Sequence, residues 1–307
     1  MKKIYLFTFV SFVTILVILS LYYNEYSAYY KDEQINAYIS KNIDILKENL
    51  NFEKQYSLSL SLFISKNATI KNALLSNNQS LALTEIDNFL QEIKKATSIT
   101  NIDIQIHTKK LEAFARNWDK SNYLGINLAS FRKGLLRVKK TKKSFVSIEL
   151  GKRLNIKAIS PILDNTGNFI GSVEIIMNFE NIEKRLKKFD LDMIVLLDKK
   201  FEDIAVNLKK NKRIDKYIVV EDKYSKKLLT LLEKHKEVFG KEKFYYKIES
   251  KIIVFVPMLN IGIDDIGVII VSMDMGDNNI NHKINRTHTF DNTIYTFNKN
   301  KREVIIK

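Results

Sequence analysis

Phe114, Arg116 and Trp118 stand at alternate positions in LEAFARNW, so in a strand all three share one face and set a guanidinium between two aromatic rings. Arg132 follows on a segment that reads as helical, and Glu149, Lys157 and Glu174 come from segments that read as strands. Together they would line an apolar cup with a few fixed charges, the usual form of a small-molecule site. Arg116 and Arg132 suit a carboxylate, because a guanidinium donates two parallel hydrogen bonds to its two oxygens. Glu149 or Glu174 would receive an ammonium or hydroxyl of the same ligand, or would instead neutralise one of the arginines. That second use gives a structural network, in which Arg116 pairs with Glu149 and Trp118 fills the core. His107 reads first as a hydrogen-bonded strand residue and second as a ligand contact.

Other chemistry finds little support. The chain has no cysteine, which excludes disulfides, thiolate nucleophiles and Cys-based metal sites. It holds no phosphate-cradling glycine loop, HExxH or nucleophile elbow, so an enzyme is not expected, nor a cofactor. His282 and His288 are six apart in a polar tail without a partner at metal-ligand spacing, and no metal is expected. The net charge of +15 comes from 50 Lys+Arg against 35 Asp+Glu, scattered along 307 residues. A nucleic-acid binder would gather its basic residues on one helix or groove, so none is expected as a partner. The densest basic run, Arg137 to Lys143, reads as an exposed loop.

The elements that must position the charged residues show a repeat. KAISPILDNTGNFIGSVEII, Lys157 to Ile176, reads as strand, turn and strand, with turn chemistry at Asp164 to Gly167. The pattern returns without a gap 96 positions later: Pro257 matches Pro161, Leu259 matches Leu163, Gly267 matches Gly171 and Met273 matches Met177. Two similar β modules are therefore expected. Lys157 becomes Ile253 and Glu174 becomes Ile270, which predicts one working pocket and one spacer, unless both charges simply lie on a solvated sheet face.

Lys2 and Lys3 precede an uncharged run, Ile4 to Tyr23, long enough to span a bilayer and ending in bulky aromatics rather than small cleavage-site residues. An uncleaved anchor is expected, with its short basic end in the cytoplasm and the bulk of the chain outside. Ile35, Ile39, Ile43, Leu46 and Leu50 then form one helical stripe. An uninterrupted helix of about 40 residues would reach about 60 Å from the membrane as a stalk. The stripe would face a second copy or a receptor partner, or pack on the chain's own modules. The organisation expected is an anchor at 1–24, stalk and packing helices at 25–100, β modules at 101–185 and 186–275, and a polar tail at 276–307 whose last part forms either a small hairpin or a weakly attached ordered fragment.

The order His107, Phe114, Arg116, Trp118, Phe131-Arg132, Glu149-Gly151, Pro161, Gly171, Glu174 resembles the double Cache sensor family, in the subgroup found in chemoreceptors and two-component sensor kinases. The resemblance covers about residues 25 to 275 and implies an α+β fold: a transmembrane helix, a long stalk helix and two tandem PAS-like antiparallel-sheet modules. It also implies ligand binding in the membrane-distal module and relay through the proximal one. Lys157 stands where this subgroup is expected to carry arginine, keeping the charge without the two-pronged hydrogen bonding. A second membrane helix and an output domain, parts of the family plan, are not found in the sequence. The function expected is an extracytoplasmic sensor in the inner membrane for a carboxylate, amino acid or amine. The alternative is an interaction module for another receptor or protein, with a vestigial pocket.

Overall fold

The structure, a computed structural model, describes residues 2–97, 99, 101–118, 124–129, 132–240, 243–259 and 265–275. The hairpin expected within 276–307, and Phe131, lie outside the described residues. Free of Gly and Pro, Lys2–Ser65 forms one helix, α1. The chain divides into two units within it, one holding Met1–Ile45 and the other Leu46–Asp274.

In the first unit, α1 is long and apolar enough to cross a membrane, and its apolar side chains from Phe7 to Tyr23 are exposed. Tyr26, Tyr29 and Tyr30 extend the exposed aromatic zone. Beyond them the stripe turns inward. Ile35, Ile39 and Ile43 are buried, as are Leu46 and Leu50 in the second unit.

In the second unit α1 ends at Ser65, and Asn67 caps α2 (Ala68–Leu75) by accepting the Ile70 N–H. Asn78 caps α3 (Gln79–Ala96) in the same way. The three helices cover one face of a five-stranded antiparallel sheet. Its strands are β1 (Ile102–Thr108), β2 (Ala113–Arg116), β3 (Phe145–Leu150), β4 (Leu154–Leu163) and β5 (Phe169–Met177), in the spatial order β2-β1-β5-β4-β3. Ile64, Ile70, Ile86 and Leu90 pack there against Ile104, Ile106, Ala158, Val173 and Ile175. Ser61 and Ser160 meet hydroxyl to hydroxyl at 2.7 Å, which brings α1 close to β4. A fourth helix, α4 (Lys133–Thr141), lies on the opposite face and packs Leu135 and Val138 on Ile159 and Phe145. Much of the basic run expected as a loop is thus the polar side of α4. Its apolar positions, two of them three apart, are what hold it helical.

The linker α5 (Glu180–Lys187) leads to a six-stranded antiparallel sheet: β6 (Asp192–Asp198), β7 (Arg213–Ile214), β8 (Tyr217–Val219), β9 (Tyr245–Ile248), β10 (Lys251–Leu259) and β11 (Asp265–Asp274), in the order β7-β8-β6-β11-β10-β9. The short β7–β8 pair turns at Asp215, whose φ of 50° is left-handed. Helix α6 (Lys226–Lys234) packs Leu228, Leu229 and Leu232 on this sheet.

The sequence repeat is a repeat of register. Pro161 opposes Ser172 and Ile162 opposes Gly171, with an irregularity before Leu163; Pro257 opposes Val268 and Met258 opposes Gly267, with an irregularity before Leu259. Both prolines stand past the residues that pair with the outer strand, where a missing N–H breaks no ladder bond. Both glycines meet the backbone of the neighbouring strand. A Cβ on Gly171 would be driven into the His107 carbonyl oxygen, and one on Gly267 into that of Leu196. The equivalence therefore extends to a third strand, β1 matching β6.

Two expectations follow. Gly171→Ala and Gly267→Ala will each destabilise the fold by about 2 kcal/mol or more in urea unfolding, since the obstacle is backbone and cannot rotate away. Glu221, which follows β8, is buried and accepts the Phe179 N–H at 3.0 Å. Burial pushes its carboxyl up to about 7; the Phe179 N–H and Arg153 oppose the rise, and Glu180 and Asp222 add to it. The unfolded carboxyl ionises near 4.5, so the folded state holds the extra proton between there and about 7, and Glu221's contribution to stability declines as pH rises through that window. Glu221→Gln will flatten this decline in denaturation measured from pH 4.5 to 7.5.

Candidate ligand-binding site

Strand pairing sets the charged residues in three adjacent rows across the α4 side of the first sheet. One row runs Arg116, Gln105, Glu174 and Ile159 over β2, β1, β5 and β4. On one side of it His107 opposes Ser172; on the other Ile176 opposes Lys157, which opposes Ser147. Glu149 lies two residues beyond Ser147 and so on the same face of β3. Arg132 reaches the rows from the N-cap position of α4.

Its guanidinium sits between two carboxylates. Nη2 donates to Glu174 Oε1 and lies 3.4 Å from Glu149 Oε2, and the Gly134 N–H donates to Glu149 Oε1 at 3.1 Å. Burial opposes the charge on Arg132, but Glu174 and Glu149 together more than offset it, and its pKa is raised. The network expected as the alternative to a ligand site therefore exists, with Arg132 and not Arg116 paired to Glu149. Arg116 lies with its guanidinium carbon 5.4 Å from the centre of the half-buried Trp118 ring, a cation–π contact just past the end of β2.

Lys157 is buried on β4, and its Nζ stands beside Gly151, where a Cβ would come within 2.7 Å of it. Among the described residues it has neither an ion pair nor a hydrogen bond. Burial and the neighbouring Arg132 lower its pKa to about 8, with Glu174 and Glu149 opposing. His107 is wholly buried, with Nδ1 3.0 Å from Ser172 Oγ. Burial and then Arg132 depress its pKa to about 3, against Ser172 and Glu149, which leaves the ring neutral. Its Nε2 is 3.7 Å from Glu174 Oε2, too long for a hydrogen bond.

Phe114 does not belong to this face. Between Ile106 and His107 the β1–β2 register shifts by one, so Ala113 rather than Phe114 opposes His107. The bulge turns Phe114 to the same side as Ala115, and both join the core under α1, α2 and α3. Strict alternation in LEAFARNW concealed it. Arg116, Arg132, Glu149, Lys157, Glu174 and His107 are brought together, with Trp118 at the rim. Ser147 and Ser172 were not singled out from the sequence, although each stands two positions from a chosen glutamate and so shares its face.

Among the described residues four buried side-chain polar atoms lack a hydrogen-bond partner: His107 Nε2, Arg132 Nε, Ser147 Oγ and Glu174 Oε2. All four lie on this one face. In the second sheet the equivalent face carries no charge at the matching positions. Leu196 replaces His107, Ile194 replaces Gln105, Val268 replaces Ser172, Ile270 replaces Glu174 and Ile253 replaces Lys157, and these residues pack with α6.

No curated protein sequence matches the chain. Among solved structures, the sensor domain of the Vibrio cholerae histidine kinase DctB aligns over 76% of this chain and 95% of its own, with 13% identity and a TM-score of 0.46. The ligand-binding domain of the Campylobacter jejuni chemoreceptor Tlp3, in complex with L-valine, covers 82% of this chain and 97% of its own at 11% identity and a TM-score of 0.41. That of the Pseudomonas fluorescens chemoreceptor CtaA, in complex with L-serine, covers 79% and 98% at 13% identity and a TM-score of 0.44. A family profile described as the double sensory domain of two-component sensor kinases matches residues 33–274, most of the chain. With its two tandem antiparallel sheets behind one long N-terminal helix, the chain belongs to this double Cache family of sensory domains.

Proposed function

We propose that this chain is a membrane-anchored extracytoplasmic sensor that binds a small polar ligand, anionic or carboxylate-bearing, on the charged face of the first sheet, and that it acts in chemotaxis or two-component signalling without catalysis. The observation that carries the reading is the gathering of all four unpartnered buried atoms on that face. Folded proteins satisfy nearly all such groups, so a cluster of exceptions marks a place where water or a ligand completes the bonding. Lys157 supplies positive charge that Glu149 and Glu174, engaged by Arg132, do not pair at hydrogen-bond distance, and Arg116 stands in the row that holds Glu174. An anionic group fits there. Glu174 Oε2 offers an acceptor and His107 Nε2 lies near enough for one ligand hydroxyl or ammonium to reach both. The exposed apolar segment of α1 supports the anchor, and Lys2 and Lys3 favour a cytoplasmic N-terminus with a single pass through the inner membrane.

A thermal-shift screen of the detergent-solubilised chain against small carboxylates, amino acids and amines tests the reading. A ligand at a hundred times its dissociation constant stabilises by about 2.7 kcal/mol, an easily measured rise in melting temperature. The shift will disappear in Arg116→Ala and in Glu174→Gln. A folded protein that no compound stabilises would favour an interaction module instead. Lys157→Met provides a second check. The ammonium is costly to bury and Ile253 occupies the equivalent position in the second sheet, so the variant will be more stable at pH 7, by about 1–3 kcal/mol, while losing the ligand-dependent shift.

A further inference from the structure

A second buried ionic cluster lies away from the ligand face, where α5 meets the second-unit part of α1. Glu53 is wholly buried on α1. Its Oε1 accepts the Asn181 Nδ2–H at 3.0 Å, and its Oε2 accepts from Arg185 Nη2 at 2.5 Å. Arg185 also donates from Nε to Asn49 Oδ1 at 2.7 Å, and its guanidinium lies 5.0 Å from the centre of the Phe52 ring. One face of α5 thus grips one turn of α1 through a planar group that donates from two nitrogens and lies over an aromatic ring. Such a grip fixes both distance and rotation, which apolar packing alone does far less sharply.

The position of α5 makes this grip more than a staple. Glu174, the carboxylate that holds Arg132, lies on β5, and β5 runs into α5 with only Asn178 and Phe179 between them. The Phe179 N–H is held by Glu221 next to the second sheet, and Lys223 lies 3.4 Å from Glu180. α5 is therefore joined covalently to the strand at the centre of the ligand face, by an ion pair to α1, and by a buried hydrogen bond to the second sheet.

We infer that the Glu53–Arg185–Asn181 clamp is the coupling element of this protein: it converts displacement of β5, when the Arg132–Glu174 pair is disturbed, into displacement of the α1 turn around Glu53. The inference concerns the ion pair and the clamp and involves no ligand, so it can fail while the sensor reading stands, and the reverse. Coupling of this kind is a non-additive effect of two changes, whereas a clamp that merely braces the fold gives additive ones.

The test is a double-mutant cycle on the detergent-solubilised full chain, read by hydrogen exchange in peptides covering residues 46–60, with β11 as an internal reference. Glu174→Gln will raise exchange in the α1 peptides about tenfold relative to the reference, within the usual range of coupling. In the Arg185→Met background, where α1 exchange is already raised, adding Glu174→Gln will change it less than about twofold. Asn181→Ala, a milder lesion of the same clamp, will give an intermediate response and keeps the test usable if Arg185→Met does not fold. The inference is overturned if Glu174→Gln leaves α1 exchange unchanged, or if its effect is as large without the clamp as with it.

Discussion

Burying Arg132 is the constraint around which the first module is arranged. An isolated guanidinium in a protein interior is several kcal/mol too costly to keep, and the cost is met only where opposite charges and hydrogen bonds reach it with good geometry. Glu174, on the sheet's central strand, and Glu149, on its outer strand, provide them from two directions. The same bonds fix α4, because Arg132 stands at its N-cap and the Gly134 N–H is held by Glu149. Gly134 is closely packed, since a Cβ there would press on the Ile159 side chain and the Glu149 carboxylate. The helix that covers the candidate site is held by the charges that would sense a ligand, so any group that competes for Arg132 or Glu174 also competes for the seating of α4.

The two sheets show what that arrangement costs. They share hairpin register, proline and glycine positions and the close approach of a third strand. They differ on one face. In the second sheet Ile194, Leu196, Ile253 and Ile270 meet the leucines of α6 in an ordinary apolar core, which gains stability in proportion to the area removed from water. In the first, the same places hold Gln105, His107, Lys157 and Glu174, and the larger apolar cluster lies on the other face, with a smaller one under α4. One frame, used twice, thus carries one polar and one apolar face in a double sensory domain.

The long helix has a comparable division along its length. Its continuous run of exposed apolar and aromatic residues ends at Tyr30, and its buried stripe begins at Ile35. Farther along, Ser57, Ser61 and Ser65 form a buried face of small hydroxyls against the first sheet, while Glu53 carries the strongest polar attachment. Small residues permit close approach and demand little of their partner, whereas a buried carboxylate is tolerated only with its donors in place.

The sequence alone determined the elements whose cause is local or periodic. The uncharged N-terminal run, the helical stripe, the alternating strands, the Asp164 to Gly167 turn and the gapless repeat all follow from residue order, and with the motif order they carried the family. It also indicated most of the charged face, because alternation places Arg116, Glu149, Lys157 and Glu174 on definite faces of their strands. What it could not decide were relations between distant segments. A one-residue bulge in β2 moved Phe114 to the core, since strand parity holds only while the register does. The partner of Glu149 became Arg132 because the fold brings α4 over β3, a choice that no spacing in the chain encodes. The same stripe from Ile35 to Leu50 suits a second chain or the protein's own modules, and periodicity alone does not choose between them. Charge pairing and packing depend on which surfaces meet in space, and that was fixed by the tertiary structure.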